Sequence, residues 1–208
     1  MEENKTYHSS GHGSYIAPPP GKFSVGAGEK LDLSFLVLPG ESRDIDITVD
    51  LEGEGAELSV RGIYLLNADE RVRVRLLVHH KAPHCISRQI FNGVAAGNSD
   101  FSFEGTVVVA PGADGTDAAQ TNHNILLSDS AKADTKPALE IYADDVKCSH
   151  GATVGKLDES ARFYMRSRGI PEAEAVRFQI LSFLSPVTIG LSPEDTEKVE
   201  SAVTALVG

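Results

Sequence analysis

Several stretches of the chain alternate apolar and polar residues with a period of two. The clearest are LDLSFLVL (31–38), DIDITVDL (44–51), ELSVRGIYLL (57–66), RVRVRLLV (71–78) and DFSFEGTVVV (100–109). Successive side chains of a strand point to opposite faces, so each stretch predicts a strand with one buried face. Pro39-Gly40, Glu52-Gly53, Asn67-Ala68-Asp69 and the run from Pro111 to Gly115 fall between them as turns. The early strands suit a sandwich or a barrel as well as any other β architecture. ISRQIFNGV, NHNILLS, ALEIYA and VKCSHGAT, further along, are short, with mixed spacings and no hairpin dipeptide. That pattern suits a parallel β-helix, in which each coil stacks on the last. No strict internal repeat is visible.

After Gly155 the period becomes helical. Asp158 is placed to cap a helix that reaches Ser167 and stops at Gly169. Pro171 suits the first position of a second helix, with Glu172 and Glu174 at the positive end of its dipole. Val176, Ile180, Leu181 and Leu184 form its apolar stripe. Ser192-Pro193-Glu194-Asp195 opens a third helix, with Val199, Val203 and Leu206 on one face. The expected organisation is a flexible N-terminal tail over residues 1–21, a β core over 22–156 and a helical subdomain over 157–208. The apolar stripes need a surface to cover, either the β core itself or another protein.

Composition then narrows the function. Nineteen glycines, ten prolines and only 6% aromatic residues suit a strand-rich chain with many turns better than a helix bundle. The net charge is −11, whereas a nucleic-acid binder needs a basic face to displace counterions from phosphates. Arg71, Arg73 and Arg75 alternate with apolar residues and read as the wet face of a strand. Binding to an anionic membrane is disfavoured for the same reason. The N-terminus MEENKTYHSS lacks the basic and apolar regions of a secretory signal, and no apolar run approaches the roughly 20 residues of a membrane span. Two cysteines, Cys85 and Cys148, are few for an oxidising compartment. A cytoplasmic location is expected.

Few residues are placed for chemistry. Cys148 and His150 are two apart, hence on one face of a strand, and thiolate and imidazole suit zinc, copper or iron–sulfur centres. They supply two of the about four ligands of a structural site. Others must come from elsewhere or from a second chain; the plainer reading is a buried thiol beside a hydrogen-bonded histidine. A cupin-like metal-binding β-barrel enzyme using His79, His80 and His84 is the alternative. Against it, His79 and His80 are adjacent and point to opposite faces. Asp144-Asp145 diverge on a strand, which weakens them as an acid–base pair. Asn122, His123, Asn124, Ser128 and Asp129 read as residues that satisfy turn backbones, and His8 and His12 as solvated tail residues. There is no Gly-rich phosphate loop ending in Lys-Ser/Thr, so the chain does not look like an ATPase, and there is no Gly-x-Ser-x-Gly elbow.

The stretch DTKPALEIYADDVKCSHGATVGKLDESARFYMRSRGI (134–170) resembles the C-terminal signature of the SufB/SufD family of iron–sulfur cluster assembly proteins. TDAAQTNHNILLSDSAKAD and SRQIFNGV, upstream, fit the same family in order and spacing. The likeness covers roughly residues 55–183. It implies a right-handed parallel β-helix, the SufBD core, followed by a small C-terminal α-helical appendage, in a protein that is not an enzyme. It also implies two partners. A SufC-type ABC ATPase would dock on the helices, through Phe163, Tyr164, Arg166, Arg168, Glu172, Val176, Ile180 and Phe183. A SufB-type subunit, or a second copy in a homodimer, would pair through the β-helix. SufB-like members carry Glu directly after the matching histidine; Gly151 follows His150 here, which is SufD-like. The resemblance associates His150, with Cys148 beside it, with a nascent cluster at the subunit interface. No stably bound cofactor is expected, only a transient iron or iron–sulfur cluster at that interface. The chain departs from the family in going almost straight into strands, without an N-terminal helical region, and in carrying His123 where Arg is usual.

Overall fold

The computed structural model describes residues 5–8, 11–16, 21–40 and 42–208. Among these residues twelve strands follow one another: β1 (Lys5–His8), β2 (Gly11–Ile16), β3 (Gly21–Val25), β4 (Lys30–Val37), β5 (Arg43–Leu51), β6 (Glu57–Leu66), β7 (Arg71–His80), β8 (Ile86–Ala95), β9 (Asp100–Val109), β10 (Asp117–Leu126), β11 (Lys132–Ile141) and β12 (Lys147–Gly155). Odd strands form one six-stranded sheet and even strands the other, each in sequence order. The pairings are parallel. Parallel neighbours need a crossover, and here the crossover is the strand that joins the opposite sheet. The result is a parallel β-solenoid, and the sandwich and barrel options fall away.

The flexible tail expected over residues 1–21 lies partly outside the described residues. Within them, the backbones of β1 and β2 continue the two sheets. From β6 onward the register advances by one coil at a time: Glu57 faces Ile86, Ile86 faces Asp117, and Asp117 faces Lys147. These steps are 29, 31 and 30 residues. The repeat is one of position, not of residue type: Val60, Gln89, Gln120 and His150 occupy one column.

Corners between the sheets are tight. Gly97 (φ 62°) turns the corner from β8 to β9, above Ala68 (φ 52°) one coil earlier, and a Cβ on Gly97 would press on the Ala68 backbone. The lumen is filled by the inward positions, among them Val25, Val49, Leu51, Val60, Val78, Phe101, Phe103 and Val107. The outer face of the odd sheet is polar. Asp46, Arg75, Glu104 and Lys136 form one register row of alternating charge, and Arg75 donates to the Asp46 carboxylate with both Nε and Nη2. This bears out the reading of the arginine run as a wet strand face.

Three helices close the chain: α1 (Glu159–Ser167), α2 (Glu172–Thr188) and α3 (Pro193–Val207). Asp158 caps α1 by accepting from the N–H groups of Ser160 and Ala161, and Ser192 caps α3 by accepting from Asp195. α2 and α3 cover the outside of the even sheet. Ile180, Leu184, Val187, Val199 and Val203 bury themselves against Leu36, Ile63, Leu65 and Val94. The surface that the stripes needed is therefore the β core. Pro186 lies inside α2 and cannot donate to the Ser182 carbonyl; the Ser185 hydroxyl donates to it instead, at 2.8 Å. Asn92 of β8 donates to the Phe183 carbonyl at 2.6 Å, tying α2 to the sheet. No helix among the described residues is long and apolar enough to cross a membrane.

Candidate functional site

β12 is the last strand of the even sheet and pairs on one side with β10. Cys148 faces Ala118 and His150 faces Gln120, both of them buried inward residues of β10. Cys148 and His150 therefore share the inner parity, and they sit at the mouth of the solenoid. Cys148 packs partly against the core with Leu139, Ala143 and Val146, while His150 is exposed. Burial pushes the Cys148 thiol up from its ordinary value, and the Asp117 carboxylate adds to that. This favours the protonated thiol, a proton that any metal binding there would have to displace. No group of three or more His, Cys, Asp or Glu suited to hold a metal occurs among the described residues. The mouth presents a thiol and an imidazole that need further ligands from outside to complete a site. Gly151 takes the opposite parity, and a Cβ there would meet nothing within 4 Å.

Below the mouth runs a buried polar column that the sequence reading missed. Gln120 Nε2 donates to Gln89 Oε1 at 2.6 Å, and Gln89 Nε2 donates to Ser87 Oγ at 3.4 Å. Ser87 Oγ lies 2.9 Å from His80 Nε2. Burial lowers His80 to about 4, so its ring is neutral around pH 7. A second network lies alongside. The Tyr64 hydroxyl donates to Asn124 Oδ1 and accepts from Asn122 Nδ2, and Asn124 Nδ2 donates to the Thr153 carbonyl of β12 at 3.2 Å. Burial raises the Tyr64 phenol well above its usual range. The available signal was parity: Ser87 and Gln89 alternate with Arg88, and Gln120, Asn122 and Asn124 with Thr121 and His123. Asn122 and Asn124 are thus lumen residues, a correction to the turn role expected of them. Ser128 does serve a turn, donating to the Gly97 carbonyl at 2.5 Å and accepting from the Ala131 N–H.

The three histidines of the barrel alternative are not brought together. His79 points outward, with Nδ1 2.8 Å from Asp50 Oδ1. His80 points into the lumen. His84 occupies the β7–β8 corner with φ 59°. Adjacent residues of a strand face opposite ways, so the barrel reading is withdrawn. Cys85 is buried and its thiol donates to the Gly53 carbonyl at 3.3 Å. Asp144 and Asp145 lie in the β11–β12 corner, not on a strand as read from sequence, and the Asp145 carbonyl accepts from the Gly115 N–H at 2.6 Å. His123 faces outward and hydrogen-bonds Thr153 Oγ1 at 2.8 Å. The side chains of His8 and His12 lie outside the described residues.

The residues expected to dock an ATPase divide into two groups. Phe163 and Tyr164 are 74% and 60% exposed on α1, which buries no residue of its own. The Arg168 guanidinium lies 5.3 Å from the Tyr164 ring centre. Glu172 takes Arg166 at 2.8 Å and Arg162 at 3.1 Å, bracing α1 on α2. Ile180, by contrast, is wholly buried under α2, and Val176 and Phe183 pack partly into the same cluster. Ile180 is corrected from a docking residue to a core residue, because its side chain is already spent on the even sheet.

A family model described as SUF system FeS cluster assembly, SufBD core domain, matches residues 22–183. SufD of Escherichia coli K12 is 40% identical over 147 residues, 71% of this chain and 35% of that protein. An iron–sulfur cluster assembly SufBD family protein of Mycobacterium tuberculosis H37Rv is 32% identical over 177 residues, 81% of this chain and 45% of that protein. One from Synechocystis is 39% identical over 105 residues, 50% of this chain and 23% of that protein. The chain thus spans less than half the length of these curated relatives.

Proposed function

The chain belongs to the SufBD core family of the SUF iron–sulfur cluster assembly system, and on that premise we propose that it acts as a SufD-like, non-catalytic subunit in the cytoplasm. The observation that carries this reading is the position of Cys148 and His150, side by side in parity on the end strand β12. A second SufB/SufD-type subunit, paired edge-on with β11 and β12, would bring further ligands to the same mouth. Iron or a nascent cluster is the cargo there, held between chains and passed on. The thiolate of Cys148 and a neutral nitrogen of His150 are both suitable donors to it. Gly151 directly after His150 favours the SufD-like role over a SufB-like one.

A SufC-type ABC ATPase would dock on the helical end. Phe163 and Tyr164 supply exposed aromatic area there, and Arg166, Arg168 and Glu172 a charged surround. Interfaces draw most of their affinity from such aromatic and arginine anchors.

The test is co-purification of the chain with SufB- and SufC-type proteins, alongside iron–sulfur enzyme maturation in a deletion strain. Association, with maturation lost on deletion and not restored by His150→Ala, is the expected result. No association together with normal maturation would overturn the reading.

A further inference from the structure

Gln120 is 1% exposed, and its Oε1 has no hydrogen-bond partner among the described residues. A buried amide oxygen left without a donor is unfavourable, so the position calls for an explanation. The amide is oriented from below: its nitrogen donates to Gln89, which is itself held by Ser87, and Ser87 by the neutral ring of His80. The nitrogen is committed to the column, and the oxygen is left over.

Room for this amide is provided across the lumen. Gly105 of β9 faces it, and a Cβ at Gly105 would come within 2.6 Å of both Gln120 amide atoms. The next residue up the column is His150, in direct register with Gln120 and one strand spacing away, about 4.8 Å. What the oxygen lacks is an N–H donor, and an imidazole ring has one to give.

The His150 ring does not reach Gln120 Oε1 in this structure; we propose that Gln120 is a positioning residue for His150, the exposed ring turning inward so that Oε1 accepts one ring N–H and the other ring nitrogen is left as a bare ligand at the solenoid mouth. Metal-binding histidines commonly give their second N–H to a carbonyl or carboxylate, which fixes tautomer and ring direction. An amide acceptor does this without adding charge to the mouth. The inference rests on the functional reading of His150 given above. It adds that the ligand is aimed by a rigid column reaching from β7 through β8 and β10.

The test is a two-bond proton–nitrogen correlation spectrum of the full chain with nitrogen-15 histidine, recorded where imidazole is neutral. His150 should show a single tautomer in the wild type, and both tautomers in Gln120→Met, which fills the lumen without an acceptor. A tautomer mixture in the wild type, or an unchanged pattern in Gln120→Met, would overturn the proposal. Should Gln120→Met fail to fold, His150→Ala serves, because the exposed ring can be removed without disturbing the core. It should move the side-chain amide resonances of Gln120, and unmoved resonances count against the proposal. Normal cluster maturation with His150→Ala would instead defeat the functional reading while leaving the tautomer result standing, so the two failures are distinguishable.

Discussion

Tyr64 faces Gly93 in the next coil, and a Cβ on Gly93 would fall inside the phenol ring. The ring also stacks on Phe101 with centroids 3.4 Å apart, and its hydroxyl joins Asn122 and Asn124. Gly93→Ala must therefore move a fully buried aromatic residue and break a buried network. Overpacking of this kind costs about 1–3 kcal/mol and a lost buried hydrogen bond about 1 kcal/mol more. A urea titration should show the midpoint falling by the equivalent of about 3 kcal/mol. No loss of stability would mean that Tyr64 does not lie over Gly93.

His80 makes stability depend on mild acid. Burial holds it at about 4 in the fold, against about 6.5 in an unfolded chain. As pH falls through that window the unfolded state gains a proton that the folded state refuses. Stability is therefore full above about pH 6.5 and falls by about 1.4 kcal/mol per pH unit toward pH 4. His80→Asn should lower stability at neutral pH but remove this slope. Denaturation midpoints of both proteins across that range check the point; parallel profiles would contradict it.

Asp50 acts at lower pH. Burial alone would raise its carboxyl, but Lys22 and Lys81 at 2.7 Å and His79 at 2.8 Å outweigh that and hold it at about 2. The folded value lies below the unfolded value of about 3.9. The stabilisation is thus complete above about pH 4 and disappears as pH falls toward 2. Asp50→Asn should cost about 1–2 kcal/mol at neutral pH, a figure discounted because both lysines are nearly half exposed. The difference from wild type should close between about pH 4 and pH 2. A constant difference would mean that the carboxylate charge is not what stabilises the cluster.

Gly151→Glu separates packing from function at the mouth. The position is open and its backbone is not in the left-handed region. Stability should change by no more than about 0.5 kcal/mol, as for most surface positions. Thermal unfolding measures this directly. A larger loss would show that the outer side of β12 is covered in solution, most simply by another chain.

Much of the fold was legible because its local signals are strong. The alternation of 57–66 and 71–78 marks β6 and β7, and the caps Asp158 and Ser192 mark α1 and α3 where the structure has them. Stacking of the strands was not legible from the pattern, since Val60, Gln89, Gln120 and His150 share one column but no chemistry. Only pairing over a whole coil relates them, and alternation looks the same in a barrel. Cys148 and His150 were legible as a same-face pair, because that follows from strand parity alone. Their place at the mouth follows from strand order, and the column beneath them from residues far back in the chain. Ile180 was misassigned for a related reason: an apolar helix stripe does not say whether it faces its own sheet or a partner.

The one-coil register also governs how such a protein can change in length. Among the described residues each strand pairs only with the strands one coil before and one coil after, so contacts are exchanged between nearest neighbours along a single axis. Removing one residue within a strand would turn the inward side chains that follow it in that strand outward, whereas the coil steps of 29, 31 and 30 residues show that a residue gained or lost between strands leaves the later parity intact. Removing or duplicating a whole coil would leave parity, corners and lumen intact. A family built this way can be expected to vary in steps of about thirty residues, and to do so well away from β12, whose distance from α1 sets where the mouth stands relative to the helices.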